Sequence, residues 1–106
     1  METEMNFEVM CLQMITSAGE AKSNYMEALE AAKEKDYAKA EELIKSGSQC
    51  FVKGHMMHSD LIQKECSGEK VIMTLLLTHV EDQMSSAETI KILVEQLIEV
   101  YKKISE

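Results

Sequence analysis

The chain has no proline, no tryptophan, no arginine and only four glycines among its 106 residues. Without proline nothing forces a break in the backbone. With aromatics at 5% and much Ala, Leu, Glu, Lys and Met, helix is favoured over strand almost throughout. Without arginine there is no planar fork to grip a phosphate at two points, so any phosphate chemistry must use other groups. No apolar run approaches the roughly 20 residues that span a bilayer. Even Val71–Val80 is interrupted by His79, and no membrane insertion is expected.

Positive charge is scarce too. The net charge is −8 and the pI about 4.9. No basic stripe overrides that total, which argues against a nucleic-acid partner. Cys11, Cys50 and Cys66 are odd in number and lack zinc-ligand spacing. The acidic opening METEMNFE has none of the features of a signal peptide. A cytoplasmic protein with free thiols packed as small hydrophobes is the expectation.

What is present is helical periodicity in a chain long enough for one domain over residues 1–106. Phe7, Met10, Met14, Ala18, Ala21, Tyr25, Ala28 and Ala32 recur at steps of three and four, predicting a first helix over about 3–34. Asp36 then stands where a helix cap is needed, and Tyr37, Ala40, Ile44, Gly47, Phe51, Gly54, His58 and Leu61 predict a second over about 37–66, stopped by Gly68. Ile72, Leu76, His79, Gln83, Ser86, Ile90, Leu93, Leu97, Val100 and Ile104 form a heptad-like seam for a third over about 70–104. The fold class is therefore all-α, an up-down-up three-helix bundle. Such long helices in a short chain leave apolar edge uncovered, so self-association is expected. The methionines, at helical spacing, read as core filling.

The third seam is interrupted by a polar set, His79, Gln83 and Ser86, with Asp82 one turn from His79. One reading is a hydrogen-bonded layer that fixes register and oligomer state in a non-catalytic adaptor. The other makes His79 a nucleophile or ligand, because a neutral imidazole offers a ring-nitrogen lone pair near neutral pH. Thr78, Gln83 and Ser86 are candidates to orient that ring, and Leu75, Leu76 and Met84 to shield it from water. His55 and His58 form H-x-x-H on the second helix, a spacing occasionally used for metal. The paired Glu-x-x-His signature of di-iron bundles is absent.

The segments SAGEAKSNYMEALEAAKEKDYAKAEELIKSG, GHMMHSDLIQKE, SGEK and LLLTHVEDQMSS occur in this order. Together they resemble the enzyme IIA component of the lactose/cellobiose (including chitobiose) class of the bacterial sugar phosphotransferase system, over about Phe7 to Ile104. The family's His-Ala-Gln-Asp-His-Leu-Met stands here as HVEDQMS. The resemblance makes His79 the phosphorylated histidine, on Nε2. It makes Asp82 the aspartate that meets its two copies on the axis of a homotrimer, a nine-helix bundle, around a divalent ion such as Mg²⁺. Its implied partners are HPr as phosphoryl donor and a cysteine of enzyme IIB as acceptor, with no direct binding of sugar. Among the departures of this chain from the pattern, three change polar groups: Glu81 replaces a glutamine, Gln83 a histidine, and His58 the glutamine of Ala-His-x-x-Gln-Thr, while His55 is retained.

Overall fold

A computed structural model describes residues 6–105. Three helices make up nearly all of it: α1 (Phe7–Lys33), α2 (Tyr37–Cys66) and α3 (Leu75–Ile104), in a body of 57 × 23 × 21 Å. The expected all-α, three-helix architecture holds, and no strand occurs among the described residues. Residues 3–5 of the first predicted helix lie outside them, and Asn6 and Glu34, inside that expected range, are the caps of a shorter α1. The bounds of α2 coincide with those expected. Its N-cap is Asp36, whose carboxylate accepts from the Lys39 amide at 3.2 Å.

Both helix ends ahead of the turns are closed in the same way. The Asp36 and Glu69 amides donate back to Ala31 and Lys64 carbonyls, at 2.9 and 3.0 Å, around a residue in the left-handed region. At the second turn that residue is the expected Gly68, with φ 103°; at the first it is Lys35, with φ 64°. The sharp first turn returns α2 antiparallel along α1. α3 begins five residues later than predicted. Residues 69–74 form no regular element and Thr74, extended at φ −110° and ψ 169°, is the cap, its hydroxyl accepting from the Leu77 amide at 3.0 Å. Ile72 fell in phase with the seam, but lies outside the helix and is 68% exposed.

α1 is central. It packs along both other helices, which touch each other only sparsely. Its approach to α2 is close because small residues face each other. Ser17 is buried, donates from Oγ to the Cys50 carbonyl at 2.5 Å and accepts from the Gly54 amide at 3.1 Å. A Cβ on Gly54 would stand 2.7 Å from that Oγ and 2.8 Å from the Ser17 Cβ. Gly54→Ala is therefore expected to lower stability by about 1–2 kcal/mol, overpacking outweighing the gain in helix propensity. Gly19, where an added Cβ would meet nothing within 4 Å, gives the opposite sign, a gain of about 0.5–1 kcal/mol on Gly19→Ala. Thermal melts of the two variants, at roughly 4–8 °C per kcal/mol, check both signs.

The core divides into two clusters. One gathers Ala21, Tyr25, Ala28, Ala32, Val94 and Ile98; the other Cys11, Met14, Ala18, Leu77, Val80 and Met84. The α3 residues in these clusters are not those of the predicted seam. Leu77, Val80, Met84, Ala87, Val94 and Ile98 face inward, whereas Leu93, Leu97, Val100 and Ile104 are exposed. α3 thus carries two apolar stripes, and the heptad-like one lies to the side, with Leu76 and Ile90 half-buried against the core and Leu93, Leu97, Val100 and Ile104 uncovered. Cys11 packs as expected, and burial, with the Glu8 carboxylate adding to it, pushes its thiol pKa up, away from reactivity. Cys66 is exposed, contrary to expectation, and among the methionines Met14 and Met84 are core while Met26, Met56 and Met73 are exposed.

Candidate functional site

α3 carries most of the candidate residues. At 3.6 residues per turn, Leu75, Asp82, Gln83 and Ser86 lie within roughly 60° of His79 around the helix. His79 and Asp82 are exposed, Gln83 and Ser86 half-buried. The two apolar stripes explain this placement. The inward one holds the helix against α1, and the polar set rides on the outward one. Leu75, one turn before His79, is 88% exposed, and Leu76 is half-buried against the core.

Two of the expected neighbours of His79 lie elsewhere. Met84 is only 3% exposed and sits in the core, roughly 140° round the helix from His79, so within one chain it does not shield the ring. The Thr78 hydroxyl donates to the Thr74 carbonyl at 2.9 Å, one turn back, and so serves its own helix.

The other histidines do not converge on His79. His55 is exposed, stacks on Phe51 with ring centroids 5.8 Å apart, and borders a cavity of about 400 Å³ with Tyr25, Glu88 and Lys91. His58 lies 2.6 Å through Nε2 from a carboxylate oxygen of Glu81. Glu81 is two residues beyond His79, hence roughly 160° away around α3. The α2 face and the His79 face of α3 are therefore different sides of the helix. Among the described residues no three His, Cys, Asp or Glu side chains come together to hold a metal ion. A metal centre built from His55, His58 and His79 is not formed.

The departures from the family pattern noted above acquire partners here. His58 and Glu81, far apart in sequence, are each other's partner. Gln83, the third, accepts a hydrogen bond from the Lys22 ammonium of α1 at 2.5 Å, while its amide nitrogen lies 3.5 Å from the Asp82 carboxylate. Sequence reasoning missed Lys22. It is separated from Gln83 by 61 positions, and no local signal joins the two.

Residues 9–102 match the family described as "PTS system, Lactose/Cellobiose specific IIA subunit". The chain belongs to that family. The lichenan-specific phosphotransferase enzyme IIA component of Bacillus subtilis is 38% identical over 99 residues, covering 93% of this chain and 90% of the relative. The lactose-specific EIIA component of Staphylococcus epidermidis is 31% identical over 96 residues, covering 91% and 92%. The crystal structure of the PTS cellobiose-specific enzyme IIA from Bacillus anthracis superimposes with a TM-score of 0.89 at 33% identity, covering 99% of this chain and 97% of that one. No described helix of this IIA family member is long and apolar enough to cross a membrane.

Proposed function

We propose that this chain is a phosphocarrier that takes a phosphoryl group from phospho-HPr on His79 and passes it to the cysteine of a cognate enzyme IIB, in the cytoplasm, during uptake of a lactose- or cellobiose-type sugar. The observation that carries the reading is a single exposed histidine on α3 of a family IIA fold, displayed on the surface rather than in a cavity. A groove of about 840 Å³ between α1 and α2 is lined by Leu12, Gln13, Lys53 and Met57 among others and does not include His79. A site that meets proteins rather than sugar needs that openness.

In the transfer, the Nε2 lone pair of neutral His79 forms the new N–P bond as the donor's N–P bond breaks. The electron pair returns to the donor nitrogen. The donor ring, protonated at its other nitrogen, leaves as neutral imidazole, and His79 keeps the proton on Nδ1. Positioning and electrostatics supply most of the catalysis in such an in-line exchange. Leu75 and Leu76 supply apolar surface near the ring, which on docking excludes water from the phosphohistidine.

Assembly belongs to the same proposal. The uncovered stripe of Leu93, Leu97, Val100 and Ile104 shares the side of α3 that holds Asp82, and joins three copies as a homotrimer. One exposed carboxylate is short of the several oxygen ligands that Mg²⁺ takes, so Asp82 fits a divalent ion only where copies of the chain bring their carboxylates together. There the ion would neutralise the cluster of charge.

The test is intact-mass measurement after incubation with phosphoenolpyruvate, enzyme I and HPr. Wild type is expected to gain about 80 Da, one acid-labile phosphoryl group. His79→Gln is expected to gain nothing while its helical signal and melt stay at wild-type values, because the ring is exposed. Labelling of His79→Gln, or none of a folded wild type, overturns the assignment.

A further inference from the structure

Phosphorylating His79 places about 1.5 to 2 negative charges on a helix that already carries Glu81 and Asp82. The chain's net charge is −8 and it contains no arginine. We propose that Lys22 is the cation that binds the phosphoryl group on His79, held ready for it by Gln83. The proposal rests on the phosphocarrier reading and extends it to a residue of α1.

Three observations converge. Among the described residues two lysines donate a side-chain hydrogen bond, Lys33 to its helix neighbour Glu30 and Lys22 to Gln83 across the α1–α3 contact. Gln83 is one turn beyond His79, where side chains four apart have their Cβ atoms roughly 5–6 Å from each other. Lys22 and Gln83 are both half-buried, so this ammonium is held in place on α1 instead of sweeping through solvent. An ammonium has three donors. One stays on the Gln83 oxygen at 2.5 Å, and another is free to turn to a phosphoryl oxygen. The carboxylate of Asp82, 3.5 Å from the Gln83 amide nitrogen, holds the other end of that amide and fixes which end Lys22 meets.

The binding changes no bond count. Lys22 stays protonated, and the transfer still exchanges one N–P bond for another. A cation beside the phosphoryl group favours its dianion, which lowers its second ionisation, and it draws phospho-donor toward acceptor.

The experiment compares wild type with Lys22→Gln, Lys22→Met and Lys22→Arg in the full chain, phosphorylated by phosphoenolpyruvate, enzyme I and HPr. Initial labelling rates are followed across HPr concentrations, and ³¹P NMR titrates the phosphohistidine. Both neutral variants are expected to be labelled about tenfold more slowly or worse, the worth of one charge-assisted hydrogen bond. Their phosphoryl group is expected to titrate about half a unit or more higher. Lys22→Arg restores both readings. A neutral variant that matches wild type in rate and titration overturns the proposal. So does a slow variant with unchanged titration that arginine does not rescue, since that marks a structural role. Failure of wild type itself to take the label removes the phosphocarrier reading and this proposal with it.

Discussion

Tyr25→Ala is expected to lower the free energy of unfolding by about 3–5 kcal/mol, as loss of a buried aromatic ring does. Against a total of about 5–15 kcal/mol for a typical domain, that is a large share. The reason lies in the contact between α1 and α2. The ring is 2% exposed and lies over Gly47, where an added Cβ would stand 2.6 Å from its Cε1. Gly47 has no side chain with which to refill the space, so the cavity is expected to persist. The hydroxyl contributes less. It lies 3.3 Å from Ser48 Oγ, and Tyr25→Phe should cost about 1 kcal/mol or under. Urea unfolding followed by helical signal, at one protein concentration for all variants, separates the two. A loss below about 1 kcal/mol for Tyr25→Ala would mean that the α1–α2 contact collapses to refill the space.

The second expected result concerns assembly. Leu93 and Leu97, 56% and 43% exposed in the single chain, stand one turn apart on the uncovered stripe of α3. Leu93→Asp with Leu97→Asp should convert the proposed trimer into monomers in sedimentation equilibrium, because two carboxylates per chain would be buried without partners, at a cost of several kcal/mol. Helical content should be retained, since neither side chain belongs to the core formed by Val80, Val94 and Ile98. Ile92→Asp is the control. Ile92 is 59% exposed but borders the α2 side cavity with His55 and Lys91, so the trimer should survive it. Wild-type protein that sediments as a monomer at tens of micromolar, or equal dissociation by Ile92→Asp, contradicts the proposed seam.

The same two-striped helix shows what the sequence could convey and what it could not. The type of the helices and the bounds of α2 were legible because periodicity, the Asp36 cap and the Gly68 stop all agree locally. The start of α3 was not, because Ile72 kept the apolar phase across an extended segment and the Thr74 cap was overlooked. Which stripe of α3 turns inward was not legible either. Leu77, Val80, Met84 and Ala87 repeat at threes and fours as well as Leu76, His79, Gln83 and Ser86 do. Periodicity reports that a face is apolar, whereas its partner is decided by residues of other helices. For the same reason His79 and Asp82 were nominated from one short stretch, while Lys22 and the pairing of His58 with Glu81 depend on contacts across the bundle.

That pairing limits how the chain can change. Where the family pattern reads glutamine at each of two positions, this chain has His58 Nε2 against Glu81 Oε2 at 2.6 Å, with side chains 16% and 46% exposed. Restoring either glutamine alone leaves an amide opposite a ring or an acid, whereas restoring both recreates a matched couple. The half-exposed contact is worth about 1 kcal/mol or less, enough to bias a lineage without forbidding a step. The two residues form one contact from two distant segments, and a graft of LLLTHVEDQMSS onto a relative should carry GHMMHSD with it.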